Sequence, residues 1–174
     1  MKITAFAASN SSTSINLALV KYISTYFQND EINILNLNDF EMPIYSQDRN
    51  NEGVPAHATK FNKILTDSDI IIIALAEHNG SFTTAFKNIF DWTSREDMNV
   101  FKQKPMLLLS TSPGARGGAS VMESAKTIFP FFGGNIKETF SLPFFFENFK
   151  DGEIINSEFK TQIEEVITNF KSSL

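Results

Sequence analysis

The chain has 174 residues, with 20 acidic and 15 basic side chains and no cysteine. A net charge of −5 offers no cationic surface for nucleic acid or an anionic membrane, and the lack of cysteine excludes disulfides, thiol catalysis and thiolate-bound metals. We expect a single domain over residues 1–174 and a cytoplasmic location, because the amino-terminal apolar run is too short for a signal peptide and no segment has the length of a membrane span.

Five predicted strands alternate with five predicted helices along the chain. The strands cover residues 2–8, 32–37, 70–75, 106–110 and 136–142, and the helices cover residues 15–27, 56–65, 82–92, 119–132 and a last segment around 159–170. Alternation of this kind predicts an α/β fold with a parallel sheet and right-handed crossovers. Five strands favour the flavodoxin-like three-layer arrangement with strand order 2-1-3-4-5. A Rossmann order would need a sixth strand and a Gly-x-Gly-x-x-Gly turn, and the sequence has neither.

The stretch 70–92 holds a strand, a polar loop and an amphipathic helix in succession. The run Ile70 to Leu75 is apolar without alternation, which is typical of a strand covered on both faces. Asn79-Gly80 is a turn dipeptide, and Ser81 is predicted to cap a helix that begins at Phe82.

Three polar loops follow the first, third and fourth strands, and in the predicted fold they lie side by side at one edge of the sheet. The first loop (9–14) has five hydroxyls and one amide before a helix, which suits an anion such as phosphate, although a plain helix cap would also use such residues. The second loop (77–81) is a candidate ligand-binding loop because of its place at the sheet edge, or else a simple turn between the strand and the helix. The third loop (111–118) has three glycines that would let a flat ligand approach, or is a flexible surface loop. Together they predict a seat for a phosphorylated planar cofactor.

These loops resemble those of the NADPH-dependent FMN reductases, a family that includes quinone and azo-dye reductases. The family pattern Gly-Ser-x-Arg-x-x-Ser-x-Asn is matched at Ser9, Ser14 and Asn16. The pattern after the third strand is matched by Glu77, by Asn79-Gly80-Ser81 and by the helical residues Lys87-Asn88 and Asp91-Trp92. The pattern Ser-x-Gly-x-x-Gly-Gly is matched from Ser112 to Gly118. The resemblance covers nearly the whole chain.

The resemblance implies an FMN-dependent oxidoreductase with NADPH or NADH as co-substrate. It passes hydride through the flavin to a small acceptor (a quinone, free flavin or azo compound), so no residue is expected to act as a catalytic acid or base. The implied cofactor-binding residues are, for the phosphate, Ser9, Ser11, Ser14, Ile15 and Asn16; for the ring, Glu77, His78, Asn79 and Gly80; and for its other edge, Ser112, Gly114 and Gly117. Arg116 is a candidate for the 2′-phosphate of NADPH. A homodimer that completes the site, or a tetramer, is expected.

The chain departs from the family pattern at several positions. Ser11 stands where the family has arginine, which removes a charge-assisted phosphate contact of about 1.5–3 kcal/mol. His78 replaces tyrosine, Ala76 replaces proline, and Thr83-Thr84 replace Pro-Gly. Two alternatives therefore stay open: an FMN-binding electron carrier without nicotinamide turnover, and a flavin-free regulatory relative. The sequence lacks the Thr-x-Thr-Gly-x-Thr loop typical of carriers, which favours the enzyme.

Other chemistries have little support in the sequence. The two histidines, His57 and His78, are too few for a metal site at their spacing. A serine hydrolase would need a Gly-x-Ser-x-Gly turn and a later histidine. Lys87 and Asp91, four residues apart on a helix, are interpreted as a surface pair or a subunit contact. Most of the 18 phenylalanines are expected to fill the core, and some of the run Phe144 to Phe146, which follows Pro143, are interpreted as lining a substrate shelf or a subunit interface.

Overall fold

The computed structural model describes all residues from 1 to 174 and is built on a five-stranded sheet. The strands are β1 Lys2–Ala7, β2 Glu31–Leu35, β3 Ile70–Leu75, β4 Pro105–Thr111 and β5 Asn135–Leu142. Every neighbouring pair is parallel, and the order is β2-β1-β3-β4-β5. This arrangement confirms the predicted flavodoxin-like α/β fold and its strand order.

Five main helices cover the two faces of the sheet. They are α1 Ile15–Ser24, α2 Ala56–Asp67, α3 Thr84–Glu96, α4 Ala119–Ile128 and α5 Ser157–Ser172. Short helical segments occur at Thr25–Phe27, Leu37–Phe40, Gln47–Glu52, Phe129–Phe132 and Phe145–Asn148. None of these helices is both long and apolar enough to cross a membrane.

The side chains of β3 divide between two hydrophobic cores. Ile71, Ile73 and Leu75 pack in the core under α2, α3 and α4, whereas Ile70 and Ile72 pack in the core under α1 and α5. All six residues of β3 are buried. A strand buried on both faces needs no polar side, which explains the uninterrupted apolar run in the sequence.

The prediction that Ser81 caps the third helix is wrong. Asn79 and Gly80 have φ values of 51° and 75° and form the two-residue turn of an antiparallel hairpin, in which His78 pairs with Ser81. Such turns favour Asn-Gly because both central residues need positive φ. Ser81 is therefore extended. The helix begins at Thr84, and the hydroxyl of Thr83 caps it by accepting a hydrogen bond from the Phe86 amide at 3.2 Å.

Three further segments differ from the expected elements. The connection after β2, where no helix or strand was predicted, contains the helix Gln47–Glu52, whose capping residue Ser46 accepts a hydrogen bond from the Arg49 amide. The predicted fourth helix ends early and continues as a 3-10 turn, because Pro130 cannot donate the hydrogen bond that an α-helix needs. A short hairpin that pairs Phe149–Lys150 with Glu153–Ile154 was not predicted, because two-residue strands show no periodicity.

Candidate functional site

The three polar loops meet at the carboxyl edge of β1, β3 and β4, as predicted, and hydrogen bonds join them in pairs. The Asn16 side chain exchanges two hydrogen bonds with the Thr111 main chain, donating to its carbonyl at 3.2 Å and accepting from its amide at 3.1 Å. The Thr83 hydroxyl donates to the Ala8 carbonyl at 2.8 Å. These bonds connect the residues on either side of the first loop, Ala8 and Asn16, with the residue before α3 and with the end of β4.

A carboxylate joins the second loop to the third. Glu77 Oε2 accepts a hydrogen bond of 2.9 Å from the Val121 amide in the first turn of α4. An acceptor with negative charge is favourable there, since the first amides of a helix lack partners within it. With the bonds of Asn16 and Thr83, hydrogen bonds connect every pair among the three segments formed by each loop and the residues that flank it. We call these three links the loop braces.

The first loop presents hydroxyls and free main-chain amides. The amides of Ile15 and Asn16, in the first turn of α1, donate to no acceptor within the chain. The Ser9 hydroxyl accepts from the Ser11 amide at 3.2 Å, and the Ser14 hydroxyl accepts from the Leu17 amide at 3.2 Å. Amides at a helix start together with hydroxyls are the donor set that a phosphate needs, so these residues fit the phosphate end of FMN.

Asn16 contributes to this loop in a different way from the one expected. Its side chain is buried, at 3% exposure, and both its amide oxygen and its amide nitrogen are engaged with Thr111. The main-chain amide of Asn16 stays available for an anion, whereas the side chain supports the loop.

The second loop is the tip of the hairpin. His78, Asn79 and Gly80 are exposed, and Glu77 is half-buried because its carboxylate reaches α4. The amides of the two turn residues, Asn79 and Gly80, have no acceptor within the chain. The predicted ring-binding residues therefore offer main-chain donors at the sheet edge.

The glycines of the third loop serve two different purposes. A Cβ at Gly114 would meet nothing within 4 Å, so its surface is open. A Cβ at Gly117 would lie 2.5 Å from Ser141 Oγ and 3.1 Å from the Pro143 nitrogen, and Gly117 has a φ of 55°. Gly117 is thus required by close packing against the end of β5. The Ser112 hydroxyl donates to the Gly114 carbonyl at 3.2 Å.

Arg116 is exposed on the third loop, just before α4. Its guanidinium donates to the Ser120 hydroxyl at 2.9 Å and forms no ion pair with a carboxylate. The side chain keeps donors for an anionic group outside the chain.

A cleft of about 640 Å³ lies beside the first and second loops. The connection after β2 forms one wall, and the first turns of α3 form the other. Asn10 of the first loop and His78 of the second loop also line it. The cleft is therefore continuous with the loops that carry the predicted cofactor residues.

Two residues of α3 hold the cleft wall in place. Asn88 donates to the carbonyls of Met42 and Pro43 at 3.1 and 3.2 Å and accepts from the Tyr45 amide at 2.9 Å. The Trp92 indole donates to the Pro43 carbonyl at 2.7 Å. These bonds hold residues 42–45 in place.

Two residues that make braces, Asn16 and Glu77, were expected from the sequence to contact the cofactor, whereas the links that they form, and the parts played by Thr83 and Thr111, were not predicted. Thr83 could have been found, since it precedes the helical spacing and is a good capping residue. Thr111 takes part through its main chain, which leaves no signal in the sequence. Asn88 and Trp92 were noted only as part of a family pattern. Lys87, expected in a surface pair, does contact the Asp91 carboxylate at 2.7 and 2.8 Å.

Comparison with known proteins identifies a family whose model matches most of the chain. The family model described as NADPH-dependent FMN reductase matches residues 1–147. A protein of Pseudomonas aeruginosa named NAD(P)H-dependent FMN reductase is 32% identical over 78 residues, which cover 45% of this chain and 42% of that protein. A quinone reductase of Escherichia coli is 30% identical over 92 residues, which cover 52% of this chain and 49% of that protein. The aligned part thus spans about half the length of these relatives.

A solved structure shows the same fold over nearly the full chain. The flavoenzyme NAD(P)H:(acceptor) oxidoreductase of Paracoccus denitrificans superposes with a TM-score of 0.78 and 21% identity. The match covers 97% of this chain and 94% of that protein. At this identity the similarity supports the fold alone.

Proposed function

The chain belongs to the NADPH-dependent FMN reductase family, and from this premise we propose that it is an FMN-dependent NAD(P)H oxidoreductase that reduces a small organic acceptor. The acceptor would be a quinone, a free flavin or an azo compound. In this family FMN is the cofactor and a nicotinamide nucleotide is the reductant. The quinone reductase name of one relative supports the acceptor class.

The observation that carries this proposal is the joining of three donor-rich loops by the loop braces. Binding a cofactor to loops that are already held together avoids the entropy cost of ordering them at that moment. Asn16, Thr83 and Glu77 each make one of these links with a bond or bonds between 2.8 and 3.2 Å. The site is therefore organised before a ligand arrives.

The proposed roles of the residues rest on the resemblance to the family and are supported by their place at the sheet edge. The hydroxyls of Ser9, Ser11 and Ser14 and the amides of Ile15 and Asn16 would hold the FMN phosphate. One edge of the ring would be lined by the hairpin residues Glu77, His78, Asn79 and Gly80. Ser112, Gly114 and Gly117 would border the other edge. Arg116 would bind the 2′-phosphate of NADPH.

FMN, when bound, supplies a ring that takes a hydride from nicotinamide and passes two electrons to the second substrate. The chain's own residues bind and orient the participants. The amides of Asn79 and Gly80 can donate to the ring edge, and the open surface at Gly114 lets a planar group lie close to the main chain. This division of labour agrees with the expected lack of a catalytic acid–base pair.

Steady-state kinetics test the proposal. The purified protein, loaded with FMN, is mixed with NADPH or NADH and 1,4-naphthoquinone, and the oxidation of the nucleotide is followed by absorbance. We expect a rate far above that of the same mixture with free FMN and no protein. Tight FMN binding without turnover would indicate the electron carrier instead, and no FMN binding would indicate the flavin-free relative.

We also propose a homodimer in the cytoplasm. Several large apolar side chains are exposed, among them Ile44 at 66% and Phe146 at 64%. A subunit interface would cover such groups. Light scattering at micromolar concentration tests this point, and a monomer would contradict it.

A further inference from the structure

The third loop is tied through its main chain to the segment that follows β5. Two consecutive amides of that segment reach the loop. The Phe144 amide donates to the Gly114 carbonyl and the Phe145 amide donates to the Ser112 carbonyl, each at 3.1 Å. The position of the third loop, which borders the proposed ring site, therefore depends on where residues 144 and 145 lie.

Phe144 has a main-chain conformation that its side chain does not favour. Its φ and ψ are 47° and 55°, which lie in the left-handed region. In that region the Cβ of an L-residue comes too close to a carbonyl oxygen, so residues other than glycine and asparagine adopt it at a cost. Such a conformation persists only where the surrounding structure holds it. Neighbouring residues must therefore keep Phe144 in place.

Asn148 holds the peptide that precedes and the peptide that follows Phe144. Its side-chain nitrogen donates to the Pro143 carbonyl at 2.9 Å and to the Phe144 carbonyl at 3.3 Å. The main-chain amides of Glu147 and Asn148 donate to the same Phe144 carbonyl at 2.9 and 3.1 Å. Asn148 is buried, so water competes little for these bonds.

The start of α5 fixes which way the Asn148 side chain points. Asn156 caps α5 with its side-chain oxygen, which accepts from the amides of Glu158 and Phe159 at 3.0 and 3.4 Å. Its nitrogen is left to donate to Asn148 Oδ1, at 3.0 Å. The NH₂ group of Asn148 must then face the two carbonyls. A continuous line of hydrogen bonds thus runs from α5 to the third loop, and we call Asn148 and Asn156 the asparagine pair.

We propose that Asn148 is a positioning residue for the third loop and that, through Phe144, it sets the edge of the site that borders the flavin ring. The inference rests on the proposed function and adds a residue to it. Both members of the asparagine pair lie beyond residues 1–147, which the family model matches, so the family match gives them no role. Asn148 acts through the main chain of Phe144 and Phe145 and needs no contact with the flavin.

Hydrogen exchange of the cofactor-free protein, read by NMR, tests the positioning without any flavin. Asn148→Asp keeps the size and the oxygen that accepts from Asn156, but it loses the hydrogens for the two carbonyls. Asn156→Asp keeps an acceptor for the α5 amides, but its carboxylate would draw the NH₂ group of Asn148 away from the carbonyls. We expect the amides of Phe144 and Phe145 to exchange at least about 10-fold faster in both variants, relative to the amides of β3, which report the stability of the whole fold.

Two substitutions serve as controls. Asn169→Asp adds the same charge to α5 at an exposed position whose side chain makes no hydrogen bond. Ser68→Ala removes a buried hydroxyl that bonds to the Thr4 hydroxyl at 2.6 Å and to the Ile64 carbonyl at 2.7 Å, just before the start of β3. Ser68→Ala should lower Tm by about 2–8 °C. Neither control should change the exchange of the Phe144 and Phe145 amides relative to β3.

The second test measures the affinity for the ring by titration with FMN and with riboflavin. The asparagine pair affects the ring edge of the site and leaves the first loop unchanged. Both flavins should therefore lose affinity by the same factor, about 5- to 10-fold, in Asn148→Asp and in Asn156→Asp. The ratio of the two Kd values, which reports the phosphate, should keep its wild-type value. Ser68→Ala and Asn169→Asp should change neither Kd.

The outcomes separate this inference from the proposed function. Unchanged relative exchange in Asn148→Asp would overturn the inference, and so would faster exchange with unchanged affinity for both flavins. A changed ratio of the two Kd values would place the effect at the phosphate, and dissociation of a dimer in the variants would place it at a subunit interface; either result overturns the inference. Wild-type protein that binds neither flavin would defeat the proposed function, whereas faster exchange in both variants would still support the positioning of the third loop. Should Asn148→Asp fail to fold, Asn156→Asp, which keeps the helix cap, decides the same point.

Discussion

Asn16 and Thr111 exchange two hydrogen bonds, although they belong to segments that follow strands which are not neighbours in the sheet. Thr111 ends β4, Asn16 lies in the helix after β1, and β3 runs between those strands. An asparagine side chain carries an NH₂ donor group and a carbonyl acceptor, the same kinds of group as a main-chain amide. Asn16 therefore satisfies both main-chain groups of Thr111 and fixes the start of α1 above the sheet.

Removal of the Asn16 amide should destabilise the protein and weaken FMN binding. Asn16→Ala leaves the buried donor and acceptor of Thr111 without partners, and we expect a loss of about 2–3 kcal/mol in the free energy of unfolding. Urea denaturation measures it. Asn169→Ala, at an exposed position on α5 whose side chain makes no hydrogen bond, should change the free energy by less than about 0.5 kcal/mol. Equal effects of the two substitutions would contradict the role of Asn16.

Arginine at position 11 should tighten FMN binding. Ser11 is exposed in the first loop, and a guanidinium there could pair with the phosphate as in the family pattern. A charge-assisted contact of about 1.5–3 kcal/mol corresponds to an affinity gain of about 10- to 100-fold for Ser11→Arg. Flavin fluorescence titration measures the Kd. Ser11→Ala, which removes one neutral hydrogen bond, is the comparison and should weaken binding by no more than about 10-fold. The gain in Ser11→Arg should shrink at high salt. An unchanged Kd for FMN in Ser11→Arg would contradict the proposal that the first loop binds the FMN phosphate.

Arg116 should decide the preference between the two nicotinamide nucleotides. Its guanidinium has no carboxylate partner and is exposed beside the ring-binding loops. Arg116→Ala is expected to raise KM for NADPH by about 10-fold and to leave KM for NADH unchanged, since only NADPH carries the 2′-phosphate. Lys126→Ala, which removes a positive charge from α4 away from the third loop, is the matched control. An equal rise of both KM values in Arg116→Ala would refute the assignment.

Asp97 makes a contribution to stability that should disappear in acid. The Lys102 ammonium, at 2.5 Å, and the Asn99 amide hold the pKa of the Asp97 carboxyl below its ordinary value. A carboxylate with a lowered pKa stabilises the fold above its unfolded pKa and loses this effect as the pH falls through its folded pKa.

Asp97→Asn should therefore lower Tm at pH 7 by about 1–3 °C, the size expected for an exposed pair of roughly 0.5–1 kcal/mol. The difference from wild type should persist down to about pH 5 and shrink as the pH falls below the ordinary aspartate pKa of about 3.9. Differential scanning calorimetry across this range measures it. Asp39→Asn, at an exposed position without an ion pair, is the control. A Tm difference between Asp97→Asn and the wild type that grows toward low pH would contradict the stabilising role of the ionised Asp97 carboxylate.

The central strands β1, β3 and β4 were predicted from the sequence because burial on both faces leaves a plain apolar signal. Ile70 to Leu75 is one such run, and its predicted bounds are those observed. The cap of α3 was misplaced by two residues, since Asn79-Gly80 was treated as a loop turn. The hairpin it forms depends on pairing between His78 and Ser81 that local composition does not reveal.

The loops that carry the proposed site were predicted, whereas the contacts among them were not. The link from Asn16 to Thr111 joins residues 95 positions apart through a main chain that every residue possesses. Gly117 was interpreted as a place for ligand approach, and its packing against Ser141 depends on the position of β5. Contacts of this kind depend on how the elements pack in the folded protein, so no spacing of residues in the sequence predicts them.

The central proposal is that the three loops joined by the loop braces bind the phosphate and the ring of FMN. It is tested directly by titrating cofactor-free protein with FMN and with riboflavin. We expect saturable quenching of FMN fluorescence at one FMN per chain, and binding of riboflavin, which lacks the phosphate, at least about 10-fold weaker. If the fluorescence of neither flavin were quenched by the protein, or if the protein bound both flavins with equal affinity, the central proposal would be contradicted.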